Sequence, residues 1–179
     1  MMTANGVDRS GGQVAWWRVA MWGGAATLLL APAVAMLVTR EVDWGPLDFA
    51  VFAVMLGAAC GTVDLAARAS GSLAYRAATA IAAGAAFLMV WANLAVGIIG
   101  NENDGVNLIF FGILGGGFAG ACFARFRAKG LAVTLALMGV AMLASMALAI
   151  GEVTAVFVAI GLIAALWLAA AALYARAAQ

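Results

Sequence analysis

Along this chain, long apolar stretches alternate with short polar ones. Six apolar runs stand out, at about 19–38, 47–67, 77–100, 106–124, 131–150 and 153–174. Each is close to the ~20 residues that a helix rising ~1.5 Å per residue needs to cross a hydrocarbon core of about 30 Å. The pattern predicts six transmembrane helices. Only Gly151 and Glu152 separate the last two runs. Read as one helix, these runs would extend to roughly twice a membrane thickness, so the breaker and the charge predict a tight hairpin instead. Residues 1–14 are polar and Gly-rich and read as a short disordered tail, leaving 15–176 as a single six-helix domain.

Composition makes lipid the solvent for this pattern. The chain is 67% apolar and 9% charged, against roughly a quarter charged in soluble domains. It holds too little polar surface to cover itself in water. The net charge of +1 comes from basic residues scattered singly between apolar runs, which argues against nucleic acid as a partner. Histidine is absent, which removes the commonest metal ligand and the commonest general base near neutral pH. Two cysteines, Cys60 and Cys122, lie inside apolar runs and read as inert packing residues rather than a disulfide or a zinc site. No cofactor motif and no metal-ligand set emerges.

Charge then sets orientation. If the spans alternate, one side collects Arg9, Arg18, Arg68, Arg76, Arg125, Arg127, Lys129 and Arg176, and only Arg40 falls on the other. The excess of basic residues predicts that both termini are cytoplasmic. Glu41, Asp43, Asp48, Glu102, Asp104 and Glu152 sort to the opposite side, with Asp8 and Asp64 remaining inside. Trp16, Trp17, Trp22, Tyr75 and Tyr174 fall near the inner boundary and Trp44 near the outer one, as interfacial anchors do. A competing reading takes Arg9, Arg18 and the apolar run up to Ala33-Val34-Ala35 as a cleavable signal peptide. Against it, the run continues to Val38 at full bilayer length with no polar region before the cleavage site.

Glycines supply the packing signals. Gly112, Gly116 and Gly120 recur every four residues in the fourth run, and Gly57 and Gly61 do so in the second, so each set lines one helix face and admits a close neighbour. GGGFAG at 115–120 matches the dinucleotide fingerprint in letters only, since that motif needs a strand-to-helix turn. Aligning 47–71 with 106–130 pairs Phe52 with Phe111, Gly57 with Gly116, Gly61 with Gly120, Arg68 with Arg127 and Gly71 with Gly130. The alignment is compatible with a parallel hairpin repeat, or with chance in a chain rich in Ala and Gly.

Any chemistry would have to come from the polar residues in and beside the spans. Asn93 lies about 10 Å below the predicted outer end of its helix, where its amide needs a partner. It reads either as an interhelical hydrogen bond or as the floor of an outward-facing pocket walled by Glu102, Asp104, Asn107 and Asp48. Carboxylates and amide oxygens suit a hard cation or an amine. Asp48 and Asn107 each open an apolar run, so N-capping is the simpler reading for those two. The loop NENDG lacks the ligand spacing of a calcium loop. Asp64 precedes Arg68 by four residues and shares its helix face, which predicts an inner salt bridge; a proton-relay role is the alternative.

VDWGPLDF (42–49), VWANLAVGIIGNENDGVNL (90–108), ARFRAKG (124–130) and ALWL (165–168) resemble a family of small bacterial inner-membrane proteins known only as hypothetical transmembrane proteins. The resemblance covers nearly the whole chain and is firmest over the third span and its following loop. It implies a six-helix inner-membrane protein and no activity. Where that family tends to carry Ser-Glu-Asp-Asn-Pro-Ala-Asn, this chain has residues 101–107 without the proline, keeping the acid and the final Asn.

Three function classes follow. The first is a structural or accessory protein that packs in the bilayer, beside a second copy or another membrane protein, through its glycine faces. The second is a small transporter or ion-binding protein using the outer acidic site. The third, an intramembrane enzyme, lacks any nucleophile–base pair or metal set to support it. The accessory reading is the expectation, and the transporter its alternative.

Overall fold

The computed structural model describes the backbone from residue 10 and the side chains from residue 16, in both cases to residue 179. Among the described residues there are six α-helices and no strand: α1 (Ser10–Val38), α2 (Pro46–Ala69), α3 (Leu73–Ala95), α4 (Leu108–Phe123), α5 (Ala128–Ala144) and α6 (Thr154–Ala177). Short 3₁₀ turns at Gly105–Asn107 and Ser145–Leu148 lead into α4 and out of α5. All six helices are long and apolar enough to cross a membrane once the 3₁₀ turns are counted with their helices, as a multi-pass α-helical membrane protein requires. α1 begins at Ser10, so the last five residues of the expected tail are helical. The rest of that tail, with Asp8 and Arg9, lies outside the described residues.

The chain divides into two compact units, Met1–Asp64 and Leu65–Gln179. In the first unit, α2 opens with Gly45 at its N-cap and Pro46 at the first helical position, where a missing N–H is harmless. The Asp48 carboxylate accepts the Gly45 N–H at 2.8 Å, the reach-back half of a capping box. Trp44 stands edge-on to Phe49 and Phe52, with ring centroids 5.4 and 5.3 Å away.

The second unit is built on α6. Its buried residues Ile160, Ile163, Ala164, Trp167, Ala170, Ala171 and Tyr174 fall three and four apart, which puts them on one face, and that face packs along α3 and α5. Trp167, Phe110, Met89, Met142 and Ile160 are fully buried and bring α3, α4, α5 and α6 into one core. In lipid the surroundings are as apolar as this core, so close packing and internal hydrogen bonds hold the helices together. Small residues at the crossings allow that packing: Ala78, Ala85, Ala164 and Ala170 are wholly enclosed. Trp167 Nε1–H donates to the Ala82 carbonyl at 3.4 Å, giving the one polar atom of that side chain a partner.

The helices end where local chemistry stops them. α3 was expected to run to residue 100, but it stops at Ala95, because Gly97 and Gly100 take left-handed φ values of 74° and 70°. The expected break between α5 and α6 is a turn around Gly151, with φ 98°. At the other end of the unit, Ser72 caps α3 by accepting the Tyr75 N–H at 3.3 Å. The α4–α5 turn closes with Phe126 N–H donating to the Ala121 carbonyl at 3.1 Å and Arg125 N–H to the Cys122 carbonyl at 2.9 Å.

Candidate functional site

The acidic end of the second unit is the α3–α4 loop, residues 96–107, and Asn107 organises it. Its Oδ1 accepts the backbone N–H groups of Ile98 and Ile99 at 3.1 and 3.0 Å, and its Nδ2 donates to the carbonyls of Ile99 and Asn101 at 2.9 and 2.8 Å. A neutral amide side chain can accept two hydrogen bonds and donate two, so that of Asn107 is saturated. Although Asn107 occupies the N-cap position of α4, its side chain does not cap that helix; it turns back to fasten the preceding loop. The backbone carbonyl of Asn107 accepts Asn93 Nδ2–H at 3.2 Å, so Asn93 ties α3 to the start of α4. Both asparagines are buried at 4% exposure.

The exposed rim is a second, smaller network. Asp104 Oδ2 accepts from Asn101 N–H and Nδ2–H at 2.8 and 2.9 Å, and Asn101 Oδ1 accepts Asn103 N–H at 2.9 Å. Glu102 Oε1 accepts Asn103 Nδ2–H at 3.3 Å. A Cβ on Gly100 would overlap the Asp104 carboxylate, so this turn needs glycine for space as well as for its φ. The fold thus brings Asn107, Asp104 and Glu102 into one loop, with Asn93 of α3 bonded to its last residue. Asp48 belongs to the first unit and caps α2 there. Asn93 lies two residues before the end of α3, not deep below it, because the helix stops early. Its Oδ1 is buried without a hydrogen-bond partner. Among the described residues, no three His, Cys, Asp or Glu side chains group closely enough to hold a metal ion.

The glycine faces divide by surroundings. A Cβ on Gly120 would meet Thr134 of α5 at 2.8 Å, and one on Gly117, outside the four-residue repeat, would overlap the Met138 thioether. At Gly57, Gly61, Gly112 and Gly116 nothing lies within 4 Å of that position. The α4–α5 contact therefore uses Gly117 and Gly120, and the other four glycines are open. Of the glycines paired in the repeat alignment, Gly57 and Gly116 are both open, whereas Gly61 and Gly71 are open and their counterparts Gly120 and Gly130 pack against Thr134 and Ala124.

Two sets of polar contacts, one in each unit, carry no signal of their pairing in the sequence. In the first unit Arg18 Nε lies 2.6 Å from Asp64 Oδ1, joining α1 to α2; helix spacing could single out only Arg68, on the same helix. In the second unit the Thr79 and Tyr174 hydroxyls lie 2.7 Å apart, Thr79 donates to the Tyr75 carbonyl at 2.9 Å, and Tyr75 donates its hydroxyl to the Phe126 carbonyl at 2.8 Å. The two tyrosine rings meet edge-to-face at 5.0 Å. Tyr174 was expected as an interfacial anchor, but it is 4% exposed and serves as a buried cross-link. The only sequence signal was a tyrosine near each end of the unit, which does not say that the two meet.

Compared with protein-family models, curated proteins and solved structures, the chain finds no match.

Proposed function

We propose that this chain is a multi-pass protein of the bacterial inner membrane, with both termini in the cytoplasm, and that it acts as a structural or accessory component, not as an enzyme. The basic residues gather at the helix ends assigned to the cytoplasm and the acidic ones at the opposite ends, the distribution that membrane insertion favours. The observation that carries the accessory reading is the saturation of Asn107. The polar group best placed to line an outward-facing pocket spends all its hydrogen bonds on its own loop. The open helix faces are apolar: those at Gly57 and Gly61 of α2 and at Gly112 of α4 admit a close helix from a second copy or another membrane protein.

Photo-cross-linking from α2 in intact membranes tests this. A cross-linker beside Gly57 should yield a discrete product that disappears in Gly57→Leu/Gly61→Leu while the melting temperature of the purified chain stays unchanged. The absence of any product, or its survival in the variant, would refute the reading.

The alternative, a small transporter or ion-binding protein, is favoured by one observation, the unpartnered buried Oδ1 of Asn93. Under that reading, a cation or amine would raise the melting temperature of the native protein but not that of Glu102→Gln/Asp104→Asn.

A further inference from the structure

The turn between α4 and α5 and the first turn of α5 carry Arg125, Arg127 and Lys129, all exposed. With Arg68, Arg76 and Arg176 they form the basic end of the second unit, whose acidic side chains, Glu102, Asp104 and Glu152, all fall in the loops at the opposite end. Among the described residues, Arg125, Arg127 and Lys129 make no ion pair. α5 begins at this turn with no acidic residue in its first turn and no side-chain cap on its N-terminal N–H groups, so its dipole adds to the positive field.

An apolar groove of about 300 Å³ lies between the same two helices, lined by Ile113, Gly116 and Gly120 of α4 and Thr134, Leu137 and Ala141 of α5. Gly120 is four residues before the α4 C-cap, so the groove starts about 6 Å from the turn, and it continues about 10 Å further to Ile113. Glycine makes the groove, since at Gly116 a side chain would project into open space.

Three uncompensated cations at one end of an apolar groove complement an amphiphile with an anionic head. We propose that the α4–α5 turn and groove bind an anionic phospholipid, with its phosphate on Arg125, Arg127 and Lys129 and one acyl chain along the groove. The proposal rests on the membrane reading above. Near an anionic surface each basic residue contributes about fivefold in binding, so the three together select strongly for a charged head. The acyl chain runs parallel to α4, as the neighbouring bilayer lipids do.

Purified protein in mild detergent would be titrated with dioleoylphosphatidylglycerol, with dioleoylphosphatidylcholine or with inorganic phosphate alone, and followed by thermal unfolding and native mass spectrometry. Phosphatidylglycerol should stay bound and raise the melting temperature, phosphatidylcholine should do so at least about tenfold more weakly, and phosphate should have no effect. Arg125→Gln/Arg127→Gln/Lys129→Gln should abolish the preference, and Gly116→Leu should weaken retention of both lipids by filling the groove. High salt applied to the unaltered protein should erode the preference as well, a test that needs no variant to fold. Equal retention of the two lipids, a shift with phosphate alone, or a preference that survives the triple variant or high salt would overturn the site. Failure of the protein to fractionate with membranes would instead overturn the membrane reading itself.

Discussion

Asn107 and Ile99 are joined twice: the Ile99 N–H donates to Asn107 Oδ1 at 3.0 Å, and Asn107 Nδ2–H donates to the Ile99 carbonyl at 2.9 Å. The side-chain amide thus pairs with a backbone as a neighbouring strand would. It does so at the mouth of a helical bundle, where Gly97 and Gly100 have taken the chain out of helix and left its amides without helical partners.

Removing that amide should therefore destabilise the second unit. Asn107→Ala leaves two buried N–H groups unsatisfied and should reduce unfolding stability by about 2–3 kcal/mol. Asn107→Asp, although nearly the same shape, sets carboxylate oxygen against the carbonyls of Ile99 and Asn101 and should fall at least as far. Glu102→Gln, on the exposed rim, should stay within about 0.5 kcal/mol. Thermal melts in detergent check the ranking, and an innocuous Asn107→Asp would show that the network does not hold the loop.

The glycines should rank by what their Cβ would meet. Gly116→Ala meets nothing within 4 Å and should be neutral. Gly117→Ala meets the flexible end of Met138, which can swing aside, so its effect should be intermediate. Gly139→Ala presses on Leu168 at 2.8 Å and on the Ala164 carbonyl at 3.3 Å of the central helix and should cost about 1–3 kcal/mol. Melting temperatures of the three variants that fall in a different order would contradict this packing.

At the basic end, Tyr174→Phe removes the donor to Thr79 in a buried site and should cost about 1 kcal/mol. Tyr75→Phe frees the Phe126 carbonyl where solvent can replace the lost partner, so it should cost less. Hydrogen exchange of the α4–α5 turn would show whether Tyr75→Phe loosens that turn selectively.

The Arg18–Asp64 pair should behave as a coupled unit. Arg18→Gln or Asp64→Asn alone removes one side of this partly buried contact, whereas the double variant removes both. A double-mutant cycle should give a coupling of about 1–2 kcal/mol, measured on unfolding of the protein in detergent. Additive losses would mean that the contact contributes nothing.

Much of the fold was legible because apolarity sums locally. Any run of about 20 apolar residues must become a helix in lipid, whatever its neighbours are, since its backbone groups have no other partners there. Six helices among the described residues and the turn at Gly151 follow from that rule; Asp48, read as an N-cap, instead sits at the third position of α2 and accepts the Gly45 N–H. The rule failed at the end of α3, where Val96 to Gly100 is as apolar as a helix but follows the φ values of its glycines. Of the candidate site, the residue types and their loop could be read, but what Asn107 does there could not, because its four partners are distributed over Ile98, Ile99 and Asn101.

The sequence by itself determined the all-helical class, the six helices among the described residues and, in the second unit, the placing of acidic residues in loops away from the basic turn, all of which follow from adding up side-chain transfer preferences along the chain. Only the tertiary structure decided that Asp64 meets Arg18, that Tyr174 reaches Thr79 across 95 positions, and that Gly117 and Gly120 are in contact while Gly112 and Gly116 stay open. The reason is geometric. A helix surrounded by lipid is apolar on every side, so hydropathy cannot say which side faces a neighbour, and only the fit of one helix against another selects the residues that touch.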